Sequence, residues 1–99
     1  MSHYPIDKGI HKKAKLLGIQ VFSSDDPKKK LDIYDNEGTY WGKIGAAGMM
    51  DYWLYKKEFG STLANERRKM YTARHAKNIA KVGSKGWYAY QLLWNGDLE

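Results

Sequence analysis

Between Ser61 and Gly86 the chain carries Arg67, Arg68, Lys69, Arg74, Lys77, Lys81 and Lys85 against one acid, Glu66, and then runs into WYAYQLLW. Lysine and arginine seldom bury, so the charged stretch has to stay at the surface. The octapeptide behind it is apolar almost all round a helix and has to be covered. Any fold for this chain must therefore place a basic helix beside an apolar closing element. Ser61 or Thr62 suits the N-cap, and good helix formers continue to about Ala80. Helical spacing puts Leu63, Met70, Ala73 and Ala80 along one side, and Arg67, Tyr71, Arg74 and Asn78 along another. Val82 and Gly83 break the helix, Ser84 offers a new cap, and WYAYQLLW reads as a buried helix.

The residues upstream supply strands. MSHYPIDKGIHKKA, residues 1–14, lacks an apolar period and reads as a flexible arm, with Lys12, Lys13 and Lys15 either solvated or able to reach a phosphate. From Leu16 to Phe22, alternation sets Leu17, Ile19 and Val21 on one side of a first strand. Ser23 to Lys30 is a surface loop built on Pro27 and paired charges. A hairpin follows, with one strand over Leu31–Tyr34, a turn at Asp35, Asn36, Glu37 and Gly38, and a second strand from Thr39 to about Ile44. Gly45 to Gly48 is a small-residue passage suited to close packing. No Gly-Lys-Ser/Thr follows it, so it is not a phosphate loop. Asp51 caps a short helix that Gly60 ends.

These elements predict an α+β fold, in which a small antiparallel three-stranded sheet is followed by about three helices packed on one face. The expected core is Trp53, Tyr55, Phe59, Met70, Leu92, Leu93 and Trp94. One domain is expected over residues 15–96, with a tail at 97–99 whose Leu98 and Glu99 resemble a cloning remnant. Absence of cysteine excludes disulfides and thiolate zinc sites, and suits an intracellular setting. The start does not read as a signal peptide, and no apolar run approaches the roughly 20 residues of a membrane span, so no membrane insertion is expected.

The same residues argue against an enzyme. His75 has no acids nearby to complete a metal site, and the near carboxylate pairs, Asp25 with Asp26 and Asp32 with Asp35, sit where turns want them. No metal, cofactor or catalytic residue is expected. A net charge of +6 points instead to an anionic partner. Arg68, Lys69, Arg74, Lys77, Lys81 and Lys85 are the candidate contacts to DNA or RNA, with Tyr71 or Trp87 able to stack on a base. Arg67, Tyr71, His75, Trp87 and Trp94 carry structural or stacking roles, and Arg67 and Arg74 are the two arginines that can instead fold inward. A second reading has the aromatic surface dock a protein, as a virion or scaffold adaptor does.

The combination of IGAAGMMDYWLYKKEF, ERRKMYTARHAKN and GSKGWYAYQLLW resembles a family of small basic proteins encoded by large DNA viruses, a domain of unknown function. The matching positions are Gly45, Ala46, Asp51, Tyr52, Arg67, Tyr71, Arg74, His75, Lys77, Gly83, Gly86, Leu92, Leu93 and Trp94, within Leu31 to Trp94. The resemblance implies an α+β fold and a viral origin, hence an infected host cell or a virion as the setting. It implies no reaction.

Overall fold

The computed structural model describes residues 4–95, so the expected tail at 97–99 lies outside the described residues. The fold is α+β, in the order α1 Lys8–Leu17, β1 Ile19–Ser23, β2 Lys29–Asp35, β3 Tyr40–Ala46, α2 Tyr52–Phe59, α3 Ser61–Arg74, α4 Ala76–Ala80 and α5 Lys85–Leu93. These are five helices among the described residues, where about three were expected. The chain divides into two compact units, residues 1–49 and 50–99, and the boundary falls inside the stretch expected to form one domain.

In the N-terminal unit, the second half of the expected arm, residues 8–14, is helical. Asp7 caps it, its carboxylate accepting from the Gly9 N–H at 2.9 Å, and Gly18 ends it at φ 73°. Ile10 and Ala14, four apart, are buried and Ile10 is fully so, which holds a segment whose composition alone suggested no order. Lys13 is buried on the same helix, while Lys12 and Lys15 are exposed. Because α1 takes Leu16 and Leu17, the first strand starts only at Ile19 and Leu16 is exposed.

The three strands form an antiparallel sheet in the order β1-β2-β3. Val21 pairs with Ile33 and Leu31 with Ile44, which places these four buried residues on one side. The hairpin turn forms as its residues require. The Asp35 carboxylate accepts from the N–H groups of Glu37 and Thr39, both at 2.9 Å, and Gly38 takes φ 88°, where a Cβ is disfavoured. A bulge at Ile33/Tyr34 shifts the register so that Tyr34 faces Tyr40.

In the C-terminal unit, Asp51 caps α2 by accepting from the Leu54 N–H at 3.0 Å, and Gly60 ends it. Neither Ser61 nor Thr62 caps α3. The helix already begins at Ser61, and Gly60 stands in the N-cap position without a side chain to offer. The helix expected to continue to Ala80 is interrupted at His75, whose φ of −111° and ψ of 22° close α3 and open α4. The core is Tyr52, Trp53, Ala64, Leu92, Leu93 and Trp94. Within it, the Trp53 indole N–H donates to the Leu92 carbonyl at 3.0 Å, so the polar edge of a buried ring is satisfied. Two expected core residues are outside it, Phe59 at 62% exposure and Met70 at 54%, and Tyr55 is only half-buried. The inward line of α3 is Ala64, Arg68 and Tyr71, with Leu63 half-buried beside it, while Met70 and Ala73 are exposed. On a helix so poor in apolar residues, spacing alone does not say which side faces in.

Candidate nucleic-acid interface

The candidate contacts divide into those used by the fold and those exposed to solvent. Arg68 belongs to the fold. Its guanidinium lies 4.2 Å from the centre of the Tyr52 ring, donates to the Trp94 carbonyl at 3.0 Å, and meets the Asn65 side-chain oxygen one turn earlier. A planar donor fork with a polarisable face can stack on a ring and still satisfy a helix-end carbonyl. Arg68 therefore leaves the group of phosphate contacts. The inward arginine is not one of the two expected.

Arg67 and Arg74, seven residues apart, lie on one flank of α3 and are exposed. Arg67 rests 5.6 Å from the Tyr55 ring centre and 3.9 Å from the Met70 sulfur, contacts that position it without burying it. Arg74 sits beside Tyr71, where its charge partly opposes the effect of burial on that phenol. Lys69 is on the opposite side of α3 from the inward line, and Lys77, Lys81 and Lys85 are exposed on α4, the turn after it and the first position of α5. Among the described residues, no ion pair involves Lys69, Arg74, Lys77, Lys81 or Lys85.

The turn carrying the last two lysines is tightly built. Ser84 caps α5 by accepting from the Trp87 N–H at 3.2 Å, and its hydroxyl donates to the Asn78 carbonyl, also at 3.2 Å. Gly83 takes φ 83°. Gly86 lies so close to α4 that a Cβ there would be 2.7 Å from the Asn78 Cβ and 3.1 Å from its carbonyl oxygen. The glycine thus permits the backbone approach that holds α4 against α5.

Tyr71, His75 and Trp94 form one stack. The Tyr71 ring is 4.5 Å from Trp94 at 16° and 4.5 Å from His75, with Tyr90 nearly parallel at 6.5 Å. Desolvation is the main cause that raises the Tyr71 phenol above its ordinary pKa. Trp94 is buried at 8% exposure. These rings serve the fold, which leaves Trp87, half-buried with an edge contact to Tyr88, as the remaining stacking candidate.

The reading of the sequence missed the outer side of the sheet, where Phe22, Tyr34 and Tyr40 follow one another across the strands. The signal for Phe22 was present. Alternation that turns Val21 inward turns Phe22 outward. Among the described residues, no cluster of three or more His, Cys, Asp or Glu is placed to hold a metal, and no helix is long and apolar enough to cross a membrane. Comparison with protein-family models, curated proteins and solved structures found no match.

Proposed function

We propose that the C-terminal unit binds nucleic acid through phosphate contacts, without sequence preference, using Lys69, Arg74, Lys77, Lys81 and Lys85. The observation that carries this reading is their exposure without acid partners among the described residues, in a stretch whose single acid is Glu66. Structural ion-pair networks are the common competing use of such charges, and no ion pair joins these five among the described residues. Four of the five are lysines, which act as point charges on a phosphate backbone, and Arg74 alone carries the planar fork that can read a base edge. The setting proposed from the viral resemblance is an infected cell or a virion, and no catalysis is proposed.

Affinity measured across a salt series tests the reading. On duplex DNA, log affinity falls against log salt by about 0.9 per phosphate contact, so engagement of all five gives a slope of roughly −4.5. Absence of low-salt binding to both duplex and single strands refutes it.

The exposed aromatics of the N-terminal unit favour a second reading, in which the protein is an adaptor that docks a protein partner through its ring-bearing surface.

A further inference from the structure

The outer side of the sheet carries rings that its core does not use. Phe22 on β1, Tyr34 on β2 and Tyr40 on β3 have centroids 5.5 and 5.4 Å apart, and their planes are turned by 88° and 65°. Phe22 is 51% exposed and Tyr40 48%. Rings packed edge to face in this way do not offer a flat platform for successive bases.

Between the β1–β2 loop and the hairpin turn runs a groove of about 480 Å³, lined by Phe22 and Tyr34 together with Gln20, Ser23, Asp25, Asp32 and Gly38. The charged groups in that lining are both carboxylates. Asp25 is almost fully exposed and Asp32 nearly buried. Beside them Lys43 shows what this face holds, because its ammonium lies 3.0 Å from Asp32, 3.3 Å from Asp25 and 5.7 Å from the Tyr40 ring centre. The hydrogen bond to Asp32 is the main cause that raises Lys43 above the ordinary lysine value, so this internal cation stays charged. A nucleic acid laid here would bring its phosphates against Asp25 and Asp32.

We propose that this groove receives the N-methylated lysine side chain of a partner protein, beside the edge-to-face rings of Phe22 and Tyr34 and against the carboxylates of Asp25 and Asp32. Methylation keeps the charge while removing N–H donors, which suits rings and a few acceptors better than a fully hydrated ammonium does. The proposal narrows the adaptor reading and rests on it. It is independent of phosphate binding by residues 69–85.

The test uses the full chain and a peptide with uncharged flanks, carrying lysine, trimethyllysine or the uncharged tert-butyl isostere of trimethyllysine. Titration calorimetry gives affinities, and NMR maps the contact. The trimethyllysine peptide is expected to bind about tenfold tighter than the isostere and to shift the Phe22, Tyr34 and Tyr40 resonances. Phe22→Ala and Asp25→Asn, both at exposed positions, weaken it severalfold, whereas Lys43→Met strengthens it by removing the competing internal cation. Equal binding of the isostere overturns the cation site while leaving aromatic docking of a protein intact. Failure of all three peptides to bind overturns it too, as does an oligonucleotide that shifts the same rings and is lost in Lys43→Met.

Discussion

In residues 1–49 the side chains of Phe22, Tyr40 and Trp41 are exposed, Lys43 is held between two carboxylates, and Lys13 and Lys30 are buried. In residues 50–99 Tyr52, Trp53 and Trp94 are buried, while Lys69, Arg74, Lys77, Lys81 and Lys85 are exposed. The same residue classes do opposite work in the two units because the architectures differ. A sheet that buries Val21, Leu31, Ile33 and Ile44 on one side must send the alternate residues to the other, whatever they are. A unit of short helices has few aliphatic residues to spend, so its large rings join the core and most of its cations stay outside. Basic composition is therefore evidence about a partner only after each cation has been located.

The largest test of this contrast is a pair of aromatic truncations. Trp94→Ala removes a buried, stacked ring and is expected to cost about 3–5 kcal/mol. Phe22→Ala, at a half-exposed position, is expected to cost under about 1 kcal/mol. Urea unfolding of both variants checks it, and similar costs break the contrast.

Next comes a pair of cations. Arg68→Ala leaves the Trp94 carbonyl without its donor and uncovers the Tyr52 ring, so a loss of about 1–3 kcal/mol is expected with the salt slope of nucleic-acid binding unchanged. Lys69→Ala is expected to leave stability within about 0.5 kcal/mol and to reduce that slope by about one. The two variants exchange effects if the assignment of the arginine to the fold is wrong.

Gly86→Ala sharpens the account of the α4–α5 turn. Alanine gains up to about 1 kcal/mol in helix propensity over glycine. Its methyl would meet Asn78 at 2.7 Å with backbone atoms at 3.1 and 3.2 Å behind it, so overlap wins and a net loss of about 1–2 kcal/mol is expected in thermal melting.

The smallest effect is on pH. Burial raises the Tyr71 phenol above its ordinary value of 10 in the folded state. Above that pH the unfolded chain loses the proton first, so the folded chain binds more protons and stability falls as pH rises. Below pH 10 the contribution is fully present. Tyr71→Phe is expected to flatten the fall in stability between neutral pH and pH 11, and an unchanged pH profile refutes the assignment.

What the residues determine by themselves is whatever closes within a few positions. The Asp35–Gly38 turn and the Asp51 and Ser84 caps each need only a side-chain oxygen and a backbone N–H two to four residues away, and each is found as read. The stop at Gly60 and the helix over WYAYQLLW are found too, but only Leu92, Leu93 and Trp94 of that stretch are buried, where burial of the whole was expected. The exposure of Lys69, Lys77, Lys81 and Lys85 was legible for a similar reason, since a lysine surrounded by polar neighbours has nowhere else to go. Long-range packing decided the rest. Residues 8–14 are helical because Ile10 and Ala14 find burial, and Met70 lies outside because α3 turns Ala64, Arg68 and Tyr71 inward. Arg68 rather than Arg67 or Arg74 serves the fold because Tyr52 and the end of α5, 16 residues before it and 26 after it, come to its guanidinium. A residue's own chemistry states what it can bind, but only the chain brought to it from far away settles whether that capacity is already spent.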